Sequence, residues 1–316
     1  MRLPYQSHSR AYYAVRLRTA ILLALILLLP EMWTAKFGLA LAQTPAWHST
    51  TALPEALETF AAAVDQRSDG QSLYVVGGLD VDMAMISNKV RIAPITGSGS
   101  GVGSLGTFTS VNFNNGLQAL YRDICGVIYN HNLYAIGGIS SSQIHAPQTT
   151  AAVWYAPIDG MGNIGQWINT TSLPLPLQLH GSVAVNGYLY VMGGSSDLHD
   201  DHREYLSMEN KVYYAPINSN GSVGSWNQTG VLPGAEDGGP EIYKTCPLAV
   251  PTGSGNRIYL VGGETSGQHV LPCGLGMGSA VVQVAYAVQQ SDGTLSGWTV
   301  NQDHPLPCPV AAQAIA

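Results

Sequence analysis

Side chains able to do chemistry are sparse in this sequence, and they gather in a few short stretches. The densest is Asp197-Leu-His-Asp-Asp-His-Arg-Glu204. Asp197, His199, Asp200, Asp201 and His202 supply the carboxylate and imidazole donors that divalent cations take, and Arg203 stands beside them. Their spacing fits no cation-loop signature, so the stretch reads as a solvated acidic loop. A second group is Glu236, Asp237, Glu241 and Tyr243, and a third is Glu264, His269 and Cys273. From these groups Asp197, His199, Asp200, Asp201, His202, Arg203, Glu241, Tyr243 and His269 are the candidate ligand contacts. His180 stands apart, at the start of an apolar segment, and reads as a core histidine before a channel-facing one. No nucleophile elbow, phosphate loop or paired-carboxylate motif is present. The expectation is therefore no catalytic residue, no metal and no cofactor.

The residues that position these groups have first to be separated from a leader. Arg2, Arg10, Arg16 and Arg18 precede the unbroken apolar run Ala20 to Leu29, and Ala40-Leu41-Ala42 is a small-x-small cleavage site. A run ended by Pro30 is short for a span that needs about 20 residues, so residues 1–42 read as a signal peptide. The whole chain of 316 residues has 13 basic and 20 acidic side chains. Removing the leader's five basic residues and its one acidic residue leaves 8 and 19, a net charge of −11. Nucleic acid and, once the signal is cleaved, membrane are thereby excluded as expected partners. The place implied is outside the cytoplasm: secreted, periplasmic or at the cell surface. Cys125, Cys246, Cys273 and Cys308 suit such an oxidising compartment, where four thiols permit three complete pairings.

The remainder is built from repeats. One phrase recurs four times: Leu73-Tyr-Val-Val-Gly77-Gly78, Leu133-Tyr-Ala-Ile-Gly137-Gly138, Leu189-Tyr-Val-Met-Gly193-Gly194 and Ile258-Tyr-Leu-Val-Gly262-Gly263. Successive pairs are 60, 56 and 69 residues apart. A second phrase follows each, Val-x-x-Ala-Pro-Ile or a near variant, and then an aromatic residue shortly after a glycine. Three copies keep a 12-residue step: Tyr155 to Trp167, Tyr214 to Trp226, Tyr286 to Trp298. Each repeat holds four short apolar segments, the content of one four-stranded propeller blade. In the third copy these are Gly181 to Val185, Tyr188 to Met192, Lys211 to Ile217 and Gly224 to Gln228. Asn186-Gly187 between the first two predicts a tight type I′ hairpin. The paired glycines predict a close backbone approach or positive φ, and the repeated Tyr and Trp predict packing between sheets.

Gly-Gly after an apolar strand, followed by tyrosine and then tryptophan, resembles the kelch repeat over about residues 47 to 316. The resemblance implies an all-β, kelch-type β-propeller. Four complete blades are expected over about 60–113, 120–171, 180–231 and 245–301, within a propeller domain spanning 43–316. Departures are Ile92 in place of the first tyrosine, Phe108 in place of the first tryptophan, and a long tyrosine-to-tryptophan step. Residues 45–54 match an outermost strand and 306–316 an innermost one. The expectation is a partial fifth blade, from a truncated larger propeller or an open ring. A bridge from Cys308 to Cys246 or Cys273 would pin that last segment.

In such propellers the second-to-third and fourth-to-next-first connections share one face, and here those connections are long and unlike one another. The function expected is an extracytoplasmic, non-catalytic binding or scaffold module that turns this variable face to a protein or glycan. The resemblance also leaves an alternative, a secreted kelch-type sugar enzyme like the galactose oxidases or sialic acid mutarotases.

Overall fold

The computed structural model describes residues 49–97, 103–112, 120–141, 147–196, 208–233, 242–243, 246–253, 255–270, 277–280 and 284–301. These residues form strands and turns, with no helix among them. The 1–42 leader, the 197–204 acidic stretch, Glu236, Asp237, Glu241, Cys273, Cys308 and the 306–316 segment lie outside the described residues.

Four antiparallel sheets follow one another along Thr50–Ala316. Blade one pairs Ala61–Arg67, Gly70–Val76 and Lys89–Thr96, with Ser104–Leu105 and Thr109–Asn112 both on its outer edge. Blade two is Cys125–Tyr129, Asn132–Ile136, Val153–Pro157 and Ile168–Asn169. Blade three is Gly181–Val185, Tyr188–Met192, Lys211–Pro216 and Asn227–Val231. Blade four is Cys246–Thr252, Gly255–Val261, Val284–Val288 and Thr299–Val300. The innermost strands lie side by side in chain order. Among the described residues no strand pairing joins blade four to blade one, so they show no closed ring.

The outer strand of blade three starts three residues later than the apolar pattern predicts. Val223 is taken by a bridge to Ile217 and Gly224 donates to the Pro216 carbonyl at 2.8 Å, which closes a turn before pairing begins at Asn227. The hairpin at Asn186-Gly187 is as predicted, with φ of 47° and 81°. Blade two makes the same turn with Asn130 and His131, at 46° and 55° and without glycine.

Packing follows strand alternation. Tyr74 and Val76 of blade one meet Leu133 and Ala135 of blade two. Tyr134 and Ile136 meet Leu189 and Val191 of blade three, and Tyr190 and Met192 meet Ile258 and Leu260 of blade four. The paired glycines permit the tightest approach in this core. All eight have positive φ, from 57° to 115°. A Cβ on Gly137 would sit 2.5 Å from the Leu177 carbonyl oxygen of blade three, so no side chain fits there.

Candidate functional site

Each glycine pair turns the chain off its blade into a small sheet on the rim. Three segments meet there: the one before the inner strand, the one after the glycine pair and the one before the third strand. In blade one they are Leu57–Glu58, Leu79–Asp80 and Met85–Ile86. Blade two uses Leu120–Arg122, Ile139–Ser141 and Gln148–Thr149. Blade four uses Ile242–Tyr243, Glu264–Val270 and Met277–Ala280, and in blade three bridges join Gln178 to Ser195 and Ser195 to Met208. The inner-strand approaches are linked by backbone bonds as well. Asp123 N donates to Thr59 O at 2.9 Å and Leu179 N to Asp123 O at 3.3 Å, all three residues having φ near 55°. Among the described residues these rim sheets and backbone bonds make a platform at the exits of the second strands.

The candidate contacts distribute over this platform where they can be placed. Tyr243 and His269 lie in the rim sheet of blade four, Tyr243 paired with Glu264 and His269 with Gly278, in different strands. The other candidates fall outside the described residues.

The platform also carries an apolar tip that the charge pattern did not point to. Val81, Met83 and Met85 are 53%, 62% and 58% exposed, and Phe60 beside the Gly78 backbone is 36% exposed. The tip is held rigidly from below. The buried Asp80 carboxylate accepts from the Asp82 and Met83 amides at 3.1 Å each, Val81 N donates to Ala56 O, and Ala84 takes φ of 50°. A hairpin whose capping aspartate is inside and whose valine and methionines are outside presents apolar surface by construction. The signal in the sequence was Val-Asp-Met-Ala-Met, two residues after a Gly-Gly phrase.

Acids near the platform are already engaged. Glu55 accepts from Lys89 Nζ at 2.7 Å and Arg91 Nε at 2.6 Å. Burial works to raise its pKa, but these hydrogen bonds and charges outweigh it and hold the carboxyl below its ordinary range. Glu209 accepts from Tyr213 OH at 3.0 Å and from the Asn210 and Lys211 amides. Burial and the Glu209 charge push the Tyr213 phenol up. On the opposite face Arg67 and Asp65 pair at 3.2 Å, with His131 Nδ1 3.0 Å from Asp65.

Between the inner strands of blades two and three lies the one described place where polar atoms go unpaired together. His180 is 6% exposed, neither ring nitrogen has a partner, and burial lowers its pKa to about 4. It does not face a channel: its ring lies against Gly137 of blade two and its Cβ against Gly194 of its own blade. Ser182 Oγ is buried without a geometric partner, and its polar neighbour across the seam is the Cys125 thiol. Burial pushes that thiol up and Ser182 partly restrains it. Both groups are therefore neutral at physiological pH. Cys246 opens the inner strand of blade four as Cys125 does in blade two.

The tyrosine of each Leu-Tyr phrase has a role beyond packing. Tyr74, Tyr134 and Tyr190 donate their buried hydroxyls to the carbonyls of Gly162, Gly221 and Gly293 at 2.8, 2.7 and 2.7 Å. Each acceptor lies in the third-to-fourth hairpin of the following blade. A hydroxyl required at the same place is the reason the repeat keeps tyrosine rather than phenylalanine. The second tyrosine set packs as expected: Tyr155 stacks on Tyr134 and Tyr214 on Tyr190, with centroids 6.0 and 6.2 Å apart. Trp167 is buried, and Trp226 Nε1 donates to Thr171 O of blade two at 3.1 Å.

No family model matches the chain, and no curated protein matches it. Solved structures do. One of them, titled "Structure of YjhT", superposes with a TM-score of 0.53 at 16% identity, over 83% of this chain and 69% of that one. The chain has a kelch-like β-propeller fold.

Proposed function

We propose that the protein is exported and works as a non-catalytic binding module, its rim platform holding a protein ligand. The observation that carries this reading is the tip Val81–Met85: apolar, exposed, and fixed by Asp80 and the backbone rather than left to fold on contact. Preorganised apolar side chains lower the entropy cost of association, and methionine adapts to varied surfaces. Glu55, next to the Ala56 that anchors the tip, is committed to Lys89 and Arg91.

The test is a pull-down from culture medium and a glycan array, each run with the wild type and with Met83→Ser/Met85→Ser. Capture of one protein species that the double variant loses, with unfolding unchanged, is the expected result. Equal capture by both, or binding on the glycan array alone, overturns the tip as the ligand site. Oxidase and sugar-mutarotation assays on the same preparation address the sugar-enzyme alternative.

A further inference from the structure

The hairpin that carries the apolar tip owes its shape to backbone and to Asp80, and nothing in it to sulfur. Val81 N donates to Ala56 O at 2.9 Å, Ser87 N donates to Gly78 O at 2.8 Å, and the Asp80 carboxylate accepts from the Asp82 and Met83 amides. None of these bonds uses the side chain of Met83 or Met85, so either sulfur can change its chemistry while the hairpin keeps its form. Leucine would expose a similar apolar area at both positions; methionine adds a thioether open to two-electron oxidation. Exposure decides which methionines an oxidant reaches. Met83 and Met85 are 62% and 58% exposed, whereas Met192 is 0% exposed, packed with Tyr190 and Leu260 between blades three and four. Met161 is 79% exposed, with its amide donating to Asp159 Oδ1 at 2.9 Å. It lies in the turn after Pro157, at the end of blade two where Asn132 pairs with Pro157 and away from the glycine pair. An oxidisable thioether distant from the tip is thus built in as a comparison.

We infer that Met83 and Met85 form a reversible oxidation site: a peroxide-class oxidant converts their thioethers to sulfoxides, and the tip turns from apolar to polar with the fold intact. In each step a sulfur lone pair attacks one peroxide oxygen and the O–O bond breaks. The second oxygen leaves as hydroxide and takes the proton from the oxygen now on sulfur, giving sulfoxide and water. Sulfur is oxidised by two electrons and the peroxide is reduced by two. The sulfoxide oxygen is a hydrogen-bond acceptor, and an apolar partner surface offers it no donor. Each sulfoxide that must be buried therefore weakens an apolar association roughly tenfold. A dithiol, acting through methionine sulfoxide reductases, takes the oxygen off as water, becomes a disulfide and restores the thioether. The consequence for ligand capture rests on the reading of Val81–Met85 as the ligand site; the oxidation site itself does not.

The experiment exposes the full chain to hydrogen peroxide at neutral pH for timed intervals. Peptide mapping follows each methionine, and retention on phenyl-agarose and the urea unfolding midpoint are measured on the same samples. Met83 and Met85 are expected to gain oxygen roughly tenfold or more faster than Met192. Retention is expected to fall as they do and to recover after treatment with the reductases, with the midpoint unchanged. Met161→Leu should lose retention as the wild type does, and Met83→Leu/Met85→Leu should hold its own starting retention throughout. Met83 and Met85 lagging with Met192 overturns the inference. So does retention that stays constant with both sulfurs oxidised, or a loss that persists in the leucine pair. A midpoint that falls together with retention places the effect in the fold and overturns it as well. Capture from culture medium separates the two readings. Capture that survives oxidation of both sulfurs overturns the switch and leaves the tip as the ligand site. Equal capture by the wild type and Met83→Ser/Met85→Ser overturns the ligand site and leaves the oxidation site to the mapping and retention results.

Discussion

Replacing His180 with isoleucine tests the reading of the seam with a magnitude attached. His180 fills in blade three the slot that Ile124 fills in blade two, between the glycine pairs of neighbouring blades. An imidazole there carries two nitrogens without partners and a pKa moved from 6.5 to about 4 by burial. Because the folded state holds its proton more weakly than the unfolded chain, the unfolded state binds more protons between those two values. Stability is therefore full above about pH 6.5 and is lost as pH falls towards 4, by about 3 kcal/mol for a shift of this size. The Ile side chain removes the titration. It also removes the unsatisfied nitrogens, worth about 1–3 kcal/mol at any pH, against a packing mismatch of about 1 kcal/mol. Urea unfolding of both proteins at about pH 7.5, 6, 5 and 4 should show the variant at least as stable at the highest pH. Its advantage should widen by about 3 kcal/mol at the lowest. Parallel stability curves would refute the reasoning, because they would mean that the ring has a partner or water in the folded state.

Other expectations follow from the same contacts. Tyr134→Phe and Tyr190→Phe each leave a buried glycine carbonyl without its donor and should cost about 1–2 kcal/mol in chemical denaturation. Tyr155→Phe, whose hydroxyl is not that donor, serves as the comparison. Gly137→Ala combines φ of 57° with a Cβ 2.5 Å from the Leu177 oxygen and should cost more than about 2 kcal/mol, whereas Gly160→Ala, with no atom within 4 Å, should be close to neutral by the same assay. Glu55→Gln should lose about 1–3 kcal/mol near neutral pH, since Arg91 is left buried with a weaker partner. The carboxyl's folded pKa lies below 4.5, so its contribution is present above about that value and lost as pH falls through the folded one. That window opens near pH 4.5, where most of the His180 loss has already occurred, and a fluorescence-monitored acid titration of each variant distinguishes the two.

What could be read from the sequence was what the repeat had to state four times. Leu-Tyr-x-x-Gly-Gly marks the second strand and its exit because an apolar face and a positive φ leave few residue choices. The outer strands were placed less well, because Gly224 to Trp226 is turn whose apolar residues serve packing rather than pairing. The platform was legible only as a guess about which loops share a face. Its rim sheets are two or three residues wide in blades one and two, too short for any alternation to register, and in blade three they shrink to single bridges. Charge marks residues 197–204 and not Val81–Met85, whose side chains look like core in the sequence and are exposed because Asp80 turns inward beneath them.

The tyrosines carry the sharper lesson. Counting each Tyr as apolar bulk accounts for the stacked rings but not for four tyrosines at one position, where a phenylalanine would pack equally well. A buried hydroxyl demands an acceptor, and the acceptor lies 87 residues on for Tyr134 and 103 for Tyr190, in the next blade's hairpin. No local pattern reports a partner at that separation; the demand for one is local all the same. The recurring hydroxyl says that an acceptor must exist, and only the fold shows that it is Gly221 for Tyr134 and Gly293 for Tyr190.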